Sequence, residues 1–272
     1  MSVVWRIIDT GSLDPFANMA FDEAILRGYR SHSSPPTLRI YGWSEPGLSF
    51  GYSQDPQNDL DIDRCRMEAM PFVRRITGGG IILHGKELTY SLVCSKEDLG
   101  LPASIVSSYK IICSFLISFY NALGIKTQFA CDAQADETLG RASAICFAAK
   151  EKYDIVQNGR KIGGSAQKRS KSIIFQHGSI PFNFNKGRAS SFLRAKEIKG
   201  GEGGATCLDD ILGENMIEQE APKLLRKAFI NSFDVKAEDR GFSDEEKEIF
   251  TNLKTLKYES ADWNYNRVDR TL

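Results

Sequence analysis

Ile112, Phe115, Leu116, Phe119, Tyr120 and Leu123 fall at i, i+3, i+4, i+7, i+8 and i+11 of one stretch. That spacing predicts a long amphipathic helix from Ile105 to Leu123, with Gly124 as its stop. Cys113 lies one residue off the stripe and reads as a core or boundary thiol. Most of the other apolar stretches are short and extended. Residues 4–8, "TLRIYGW", "LSFGYSQ", "FVRRI", "GIILHG" and "LTYSLVC" read as strands, and 37–54 as a hairpin. "DPFANMAFDEAIL" starts a second helix, with Asn18 a candidate cap and Asp22 and Glu23 in its first turns. Strands interleaved with helices predict an α/β (α+β) fold, a mixed β-sheet flanked by helices.

"YDIVQ-NG-RKIGG" carries the strongest short hairpin signal, an Asn-Gly between two extended runs. "SAQKR", a polar turn and "SIIFQHGSIPF" suggest a second hairpin. Past residue 185 the character changes. "KGGEGGATC" is a Gly-rich loop, and 208–233 and 243–256 look helical, with Ser243 and Glu246 spaced as a capping box. The tail "ADWNYNRVDRTL" has no clear period. A main core over 1–185 and a Gly-rich loop with a helical extension over 186–272 are therefore expected.

The totals bound the function. With 35 basic and 35 acidic residues in 272, the formal charge is zero, which does not suggest a nucleic-acid binder. The opening "MSVVWRIIDTG" lacks the basic start and apolar core of a signal peptide, so a soluble cytoplasmic protein is expected. None of the six cysteines forms a C-x-x-C and the three histidines are scattered, which argues against zinc. Reduced thiols are the default, and the question becomes whether one of them is reactive.

"RRITGGGIILHGKELTYSL", residues 74–92, puts Gly78, Gly79 and Gly80 between a basic pair and an apolar run. Gly80 to Lys86 fits most of a phosphate-loop pattern, but Glu87 stands where a magnesium-binding hydroxyl belongs. The four residues between the glycines are apolar and strand-like, whereas a phosphate cradle needs a tight loop. A dinucleotide fingerprint fails at Leu83. Bare backbone here instead lets a ligand or a neighbouring strand lie close. The bland alternative is a bulge or turn between strands.

The same stretch resembles the signature of the lipoate/octanoate protein ligase and transferase family. "SAICFAAKEKYDIVQNGRKIGGSAQKRSKSIIFQHGSIPF", residues 143–182, resembles a second block of that family, and "NMAFDEAIL" and "LRIYGWSEPGLSFGYSQ" sit where it has similar segments. The likeness spans roughly residues 5–185. It implies a catalytic fold like that of biotin protein ligases, and attachment of octanoyl or lipoyl groups to one lysine of a small acceptor domain. Those acceptors are the glycine-cleavage H protein and the E2 subunits of 2-oxoacid dehydrogenases. The second block is most similar to the cysteine-dependent octanoyltransferases, which take the acyl group from acyl carrier protein and need no cofactor. In that branch the cysteine ahead of the hairpin is the nucleophile, and it maps onto Cys146. One difference is Gly80, where that branch carries an arginine. The ATP-dependent lipoate ligases, an amidotransferase moving octanoyl between H protein and E2, and a non-catalytic acyl-binding protein are the alternatives.

The residues can be weighed against that chemistry. A cysteine splits acyl exchange between a thioester and an amine into two steps, and it must be a thiolate to attack. Lys161 pairs across the Asn158-Gly159 turn from Val156, so its ammonium could polarise the thioester carbonyl and favour the Cys146 thiolate. A solvated hairpin lysine is the plain alternative. Arg75 and Thr77 are expected to shape the pocket entrance or orient the glycine turn. Gly163 and Gly164 repeat the bare backbone of Gly78 to Gly80 and are expected to form with them two walls of an apolar slot, and Ser165 and Ala166 beside them are candidate substrate-binding residues. His84 and His177 are candidate substrate contacts, though hydrogen-bonded structural histidines are commoner in such stretches.

Overall fold

The computed structural model describes residues 3–133, 152–183, 186–194, 204–213 and 218–271. Its first strand, β1 (Val4–Leu13), runs into α1 (Pro15–Arg30) and then β2 (Thr37–Trp43). The short β3 (Gly47–Phe50), α2 (Pro56–Asp59), α3 (Ile62–Met67), β4 (Phe72–Arg74) and β5 (Ile82–His84) follow. Next come β6 (Glu87–Ser95), the long α4 (Ile105–Ala122), β7 (Gln128–Phe129), β8 (Ile155–Gln157) and β9 (Arg160–Lys161). After β10 (Gly164–Ser170) and β11 (Ile173–Pro181) come α5 (Lys186–Ser191), α6 (Leu208–Leu212) and α7 (Ala221–Phe233). The last elements are β12 (Lys236–Asp239), α8 (Asp244–Leu253) and α9 (Ala261–Asn266).

The main sheet has the order β10-β11-β6-β2-β1-β12. β1 runs parallel to β2 and β12, and the other pairs are antiparallel, so the expected mixed sheet is present. Both faces are covered, and the side-chain alternation of each strand divides accordingly. Leu38 and Ile40 of β2, with Leu88, Tyr90 and Leu92 of β6, pack under α4 and α7. Tyr41, Trp43 and Val93 point to the opposite face, under α1 and α8. The α4 stripe is buried as its spacing demands, Cys113 with it, and Gly124 supplies a left-handed φ of 75° past the end. A second sheet, β4-β3-β5, lies over its own apolar cluster of Leu48, Phe50, Leu60 and Ile81.

Both predicted hairpins in the second block form. Asn158 and Gly159 take φ of 49° and 73°, the left-handed pair a two-residue turn requires, and Val156 pairs with Lys161. β10 and β11 pair from Gly164↔Ser179 to Ser170↔Ile173.

The hairpin expected over 37–54 does not form. β2 is an interior strand with β1 and β6 on its two edges, which leaves none for β3. The chain leaves the main sheet at Ser44, and Gly47 packs so closely on Pro15 that a Cβ there would lie 2.4 Å from its ring. Asn18 is not a cap either. Asp14 caps α1 by accepting from Ala17 N–H, with Pro15 in the first turn. Asn18 is buried inside the helix, donating to Leu13 O and Gly42 O. Beyond residue 233 the chain is more than helical, since Lys236–Asp239 adds a parallel strand to β1.

Glu246 ties this last part to the sheet. Its carboxylate receives both terminal nitrogens of Arg6 on β1, at 2.6 and 2.7 Å, and completes the capping box with Ser243. Burial alone would raise the Glu246 pKa, but the Arg6 hydrogen bonds and the Ser243 amide outweigh it and hold it below the ordinary value. Removing one partner of a buried pair strands the other charge. Glu246→Ala is therefore expected to cost about 3–5 kcal/mol, read as a lowered urea midpoint with unchanged slope.

Candidate functional site

A narrow slot lies between the main sheet and the small one. Its floor is Gly164 and Ala166 of β10, His177 and Ser179 of β11, Thr89 of β6, and Tyr41 and Trp43 of β2. Met19 of α1 closes one side, and Arg75, Ile82 and His84 of the small-sheet segment close the other. The cavity volume is about 30 Å³, room for about two waters.

The glycine segment hangs from Arg75. That guanidinium donates to Ser49 Oγ at 2.7 Å, to Gly80 O at 2.8 Å and to Gly78 O at 3.2 Å. The glycines themselves are not among the residues lining the slot; Arg75 is. Gly79 has φ of 99°, which favours glycine. Gly51 passes so close beneath that a Cβ on it would sit 2.1 Å from Gly79 O. The bare backbone thus lets chain lie against chain at Gly51, whereas a Cβ on Gly78 would meet open space.

Two hydroxyl–imidazole–carboxylate chains flank the slot. Ser49 Oγ lies 2.5 Å from His84 Nε2, and His84 Nδ1 lies 2.9 Å from Glu87 Oε1. In a neutral His84 ring, Nδ1 carries the proton toward the accepting carboxylate, so Nε2 accepts from Ser49. The ring is stacked on Trp43 at 3.7 Å, and Trp43 Nε1 donates to Thr89 Oγ1, which donates in turn to Glu87. On the other flank, Thr77 Oγ1 lies 2.7 Å from His177 Nε2, and His177 Nδ1 lies 3.4 Å from Asp22 Oδ2. Burial alone would raise the Asp22 pKa. Arg39 at 2.7 Å, together with His177 and Ser91, outweighs it and holds Asp22 below the ordinary value. Burial pushes the His177 pKa down, against the pull of Asp22.

A second small cavity lies under α4. Tyr109, Cys113 and Tyr120 line it with Tyr153, Asp154 and Gly163, and it shares Gly164, Ser165 and Ser179 with the slot. Gly163 is required there, since a Cβ would lie 2.8 Å from Ser179 O. Ser165 turns its hydroxyl away from the slot to Tyr90 Oη at 2.9 Å. Lys161 is buried, not solvated, with Nζ 2.7 Å from Asp154 Oδ2. Burial pushes the Cys113 thiol up to about 12, and it also raises Cys65, Cys94 and Cys207.

Of the residues singled out from the sequence, the slot wall gathers Arg75, His84, Gly164, Ser165, Ala166 and His177. Thr77 stands behind His177, and Gly78 and Gly80 behind Arg75. Gly163 belongs to the second cavity, and Lys161 reaches that cavity's wall through Asp154. Cys146 lies outside the described residues. Sequence reasoning missed Asp154, Ser49, Glu87, Gly51 and the Asp22–Arg39 pair. Asp22 had a signal, being an acid three residues from Met19 on one helix face.

Gly51→Ala is expected to displace the glycine turn and lower activity at least tenfold, with a loss of stability of about 1–3 kcal/mol. Steady-state rates and urea melts would check both. The lowered His177 pKa has a sign that can be worked out. Below about 6.5 the unfolded chain takes up a proton that the folded chain refuses, so stability falls as pH drops. Asp22 adds a further loss below the ordinary carboxylate range. Melting temperature should decline from pH 7 to 5.5, and His177→Gln should flatten that decline.

The comparisons with known proteins converge. The model of the lipoyl protein ligase A/B catalytic domain matches residues 14–230. The octanoyltransferase LipM of Geobacillus kaustophilus (strain HTA426) is 35% identical over 274 residues, covering 97% of this chain and 99% of its own. LipM of Bacillus subtilis (strain 168) is 32% identical over 273 residues, covering 97% and 98%. Among solved structures, a bi-partite lipoate protein ligase studied with its E2 lipoyl domain, from Thermoplasma acidophilum, has a TM-score of 0.78 at 20% identity, with 98% of each chain covered. At that identity the likeness carries the fold.

Proposed function

This chain belongs to the lipoyl protein ligase A/B catalytic domain family, and from that premise we propose that it is an octanoyltransferase working through a cysteine thioester. The donor is octanoyl acyl carrier protein. The acceptor is a lysine of a lipoyl-acceptor protein, the glycine-cleavage H protein or an E2 lipoyl domain. The reaction takes place in the cytoplasm.

The observation that carries the reading is convergence. Two sequence blocks about ninety residues apart meet on one apolar slot, Arg75 and His84 from the first, Gly164, Ala166 and His177 from the second. Each methylene buried there contributes about 0.8 kcal/mol, enough for chain length to be felt.

In the first step the Cys146 thiolate attacks the donor carbonyl, the Cys146 sulfur–carbon bond forms, and the carrier's thiolate leaves and takes a proton. In the second, the acceptor lysine's neutral amine attacks the acyl-enzyme. An amide forms, the amine loses a proton, and Cys146 is released. The amide drives the pair of steps without ATP.

Lys161 supplies positive charge near the carbonyl, and Asp154 holds its side chain inside the protein. Four other thiols, at positions 65, 94, 113 and 207, have pKa values raised by burial and make poor nucleophiles. The chain on either side of the Cys146 segment is pinned beside the second cavity, by Ala130 N–H to Asp154 O and Cys131 N–H to Lys152 O, both 2.8 Å.

The likeness of fold to a lipoate ligase favours a second reading, ATP-dependent activation of lipoate. Incubation with octanoyl acyl carrier protein is expected to add one hydroxylamine-labile octanoyl mass, lost in Cys146→Ser, with no lipoate-dependent pyrophosphate exchange. Full transfer by Cys146→Ser rejects the thioester, and robust exchange favours the ligase.

A further inference from the structure

The C-terminal segment grips both walls of the slot from behind. On α1, Asp22 belongs to the slot's hydrogen-bond network, while its neighbour Glu23 faces the C-terminal segment. Lys257 Nζ lies 2.8 Å from Glu23 Oε2 and 2.6 Å from Asp269 Oδ2. On the opposite wall Arg75 lines the slot, while its neighbour Arg74 faces the same segment. Arg74 N–H donates to Asn264 Oδ1 at 2.8 Å, and Arg74 O accepts from Trp263 Nε1 at 2.9 Å. These two side chains satisfy the outer edge of β4 as a partner strand would. The fully buried Arg74 guanidinium returns the grip, donating to Trp263 O at 3.1 Å and Asn264 O at 2.8 Å, and to Tyr52 O at 2.6 Å. Lys257 also lies 3.9 Å over the Trp263 ring, joining the two attachments.

We infer that residues 257–271 form a clasp that sets the width of the slot, with Trp263 and Asn264 as positioning residues for the wall that carries Arg75. The wall that carries Arg75 is one residue from the clasp, and the wall that carries Met19 and Asp22 is attached through Glu23. The slot is narrow, so whatever ties its walls together resists wider or longer occupants. The clasp is thereby a determinant of acyl-chain length. The inference rests on the acyl-slot reading above.

The test titrates octanoate and dodecanoate into the full chain by calorimetry, for the unaltered protein, Trp263→Phe and Asn264→Ala. Trp263→Phe keeps the ring packing and removes one hydrogen bond, so it carries the test if Asn264→Ala does not fold. Ile230→Ala on α7, remote from the slot, serves as a control for lost stability alone. The unaltered protein and the control are expected to prefer octanoate at least tenfold, and the clasp variants to lose at least fivefold of that preference. Equal preference in the clasp variants and the unaltered protein overturns the clasp. Failure of the unaltered protein to bind either acid overturns the acyl slot itself, and the clasp with it.

Discussion

Asp22 is a buried carboxylate at which one helix and three strands meet. Arg39 and Tyr41 reach it from β2, Ser91 from β6 and His177 from β11. A charge removed from water is tolerable only when it is paired and hydrogen-bonded, and here each donor comes from an element that must be correctly placed to reach it. Docking of α1 on the sheet, the register of β6 and β11, and the orientation of His177 are thus set together. The slot exists because this polar knot occupies the face of the sheet next to it, leaving Met19, Tyr41 and Trp43 to supply the apolar walls.

Glycine does three different things around that knot. At Gly79 it permits a backbone angle that side chains resist, and at Gly51 it lets one chain lie on another. At Gly178 it makes room for Ser165 and Tyr90, whose side-chain atoms would both lie 2.6 Å from a Cβ there. Only the last two are matters of space. A sequence shows that glycine is present, but which of these needs it meets depends on what crosses it in three dimensions.

The secondary structure was largely legible because its signals are local. The α4 stripe, the Asn158-Gly159 turn and the Ser243–Glu246 capping box each state their geometry within a few residues, and each is present. The false hairpin at 37–54 and the false cap at Asn18 share one cause. Both readings ignored partners brought from afar, β1 and β6 for β2, and Gly42 for Asn18. Helix α9 was invisible because its six residues hold no period, although Ser260 caps it by accepting from Trp263 N–H. At the site, the motif blocks marked chemistry but not pairing. That His84 has Glu87 and Ser49, or Lys161 has Asp154, are facts of packing. Charged residues on an otherwise apolar helix face, such as Asp22, were the signal that went unread.

The parallel pairing of β1 with β12 joins residues more than two hundred positions apart. The outer edge of β1 has no strand beside it until Lys236–Asp239 follows. At about 5–20 residues per second, that interval is tens of seconds at the slow end, during which the nascent chain presents an open strand edge to its surroundings. Until its last strand arrives, the newborn polypeptide is therefore open to edge-to-edge pairing that the finished fold forbids.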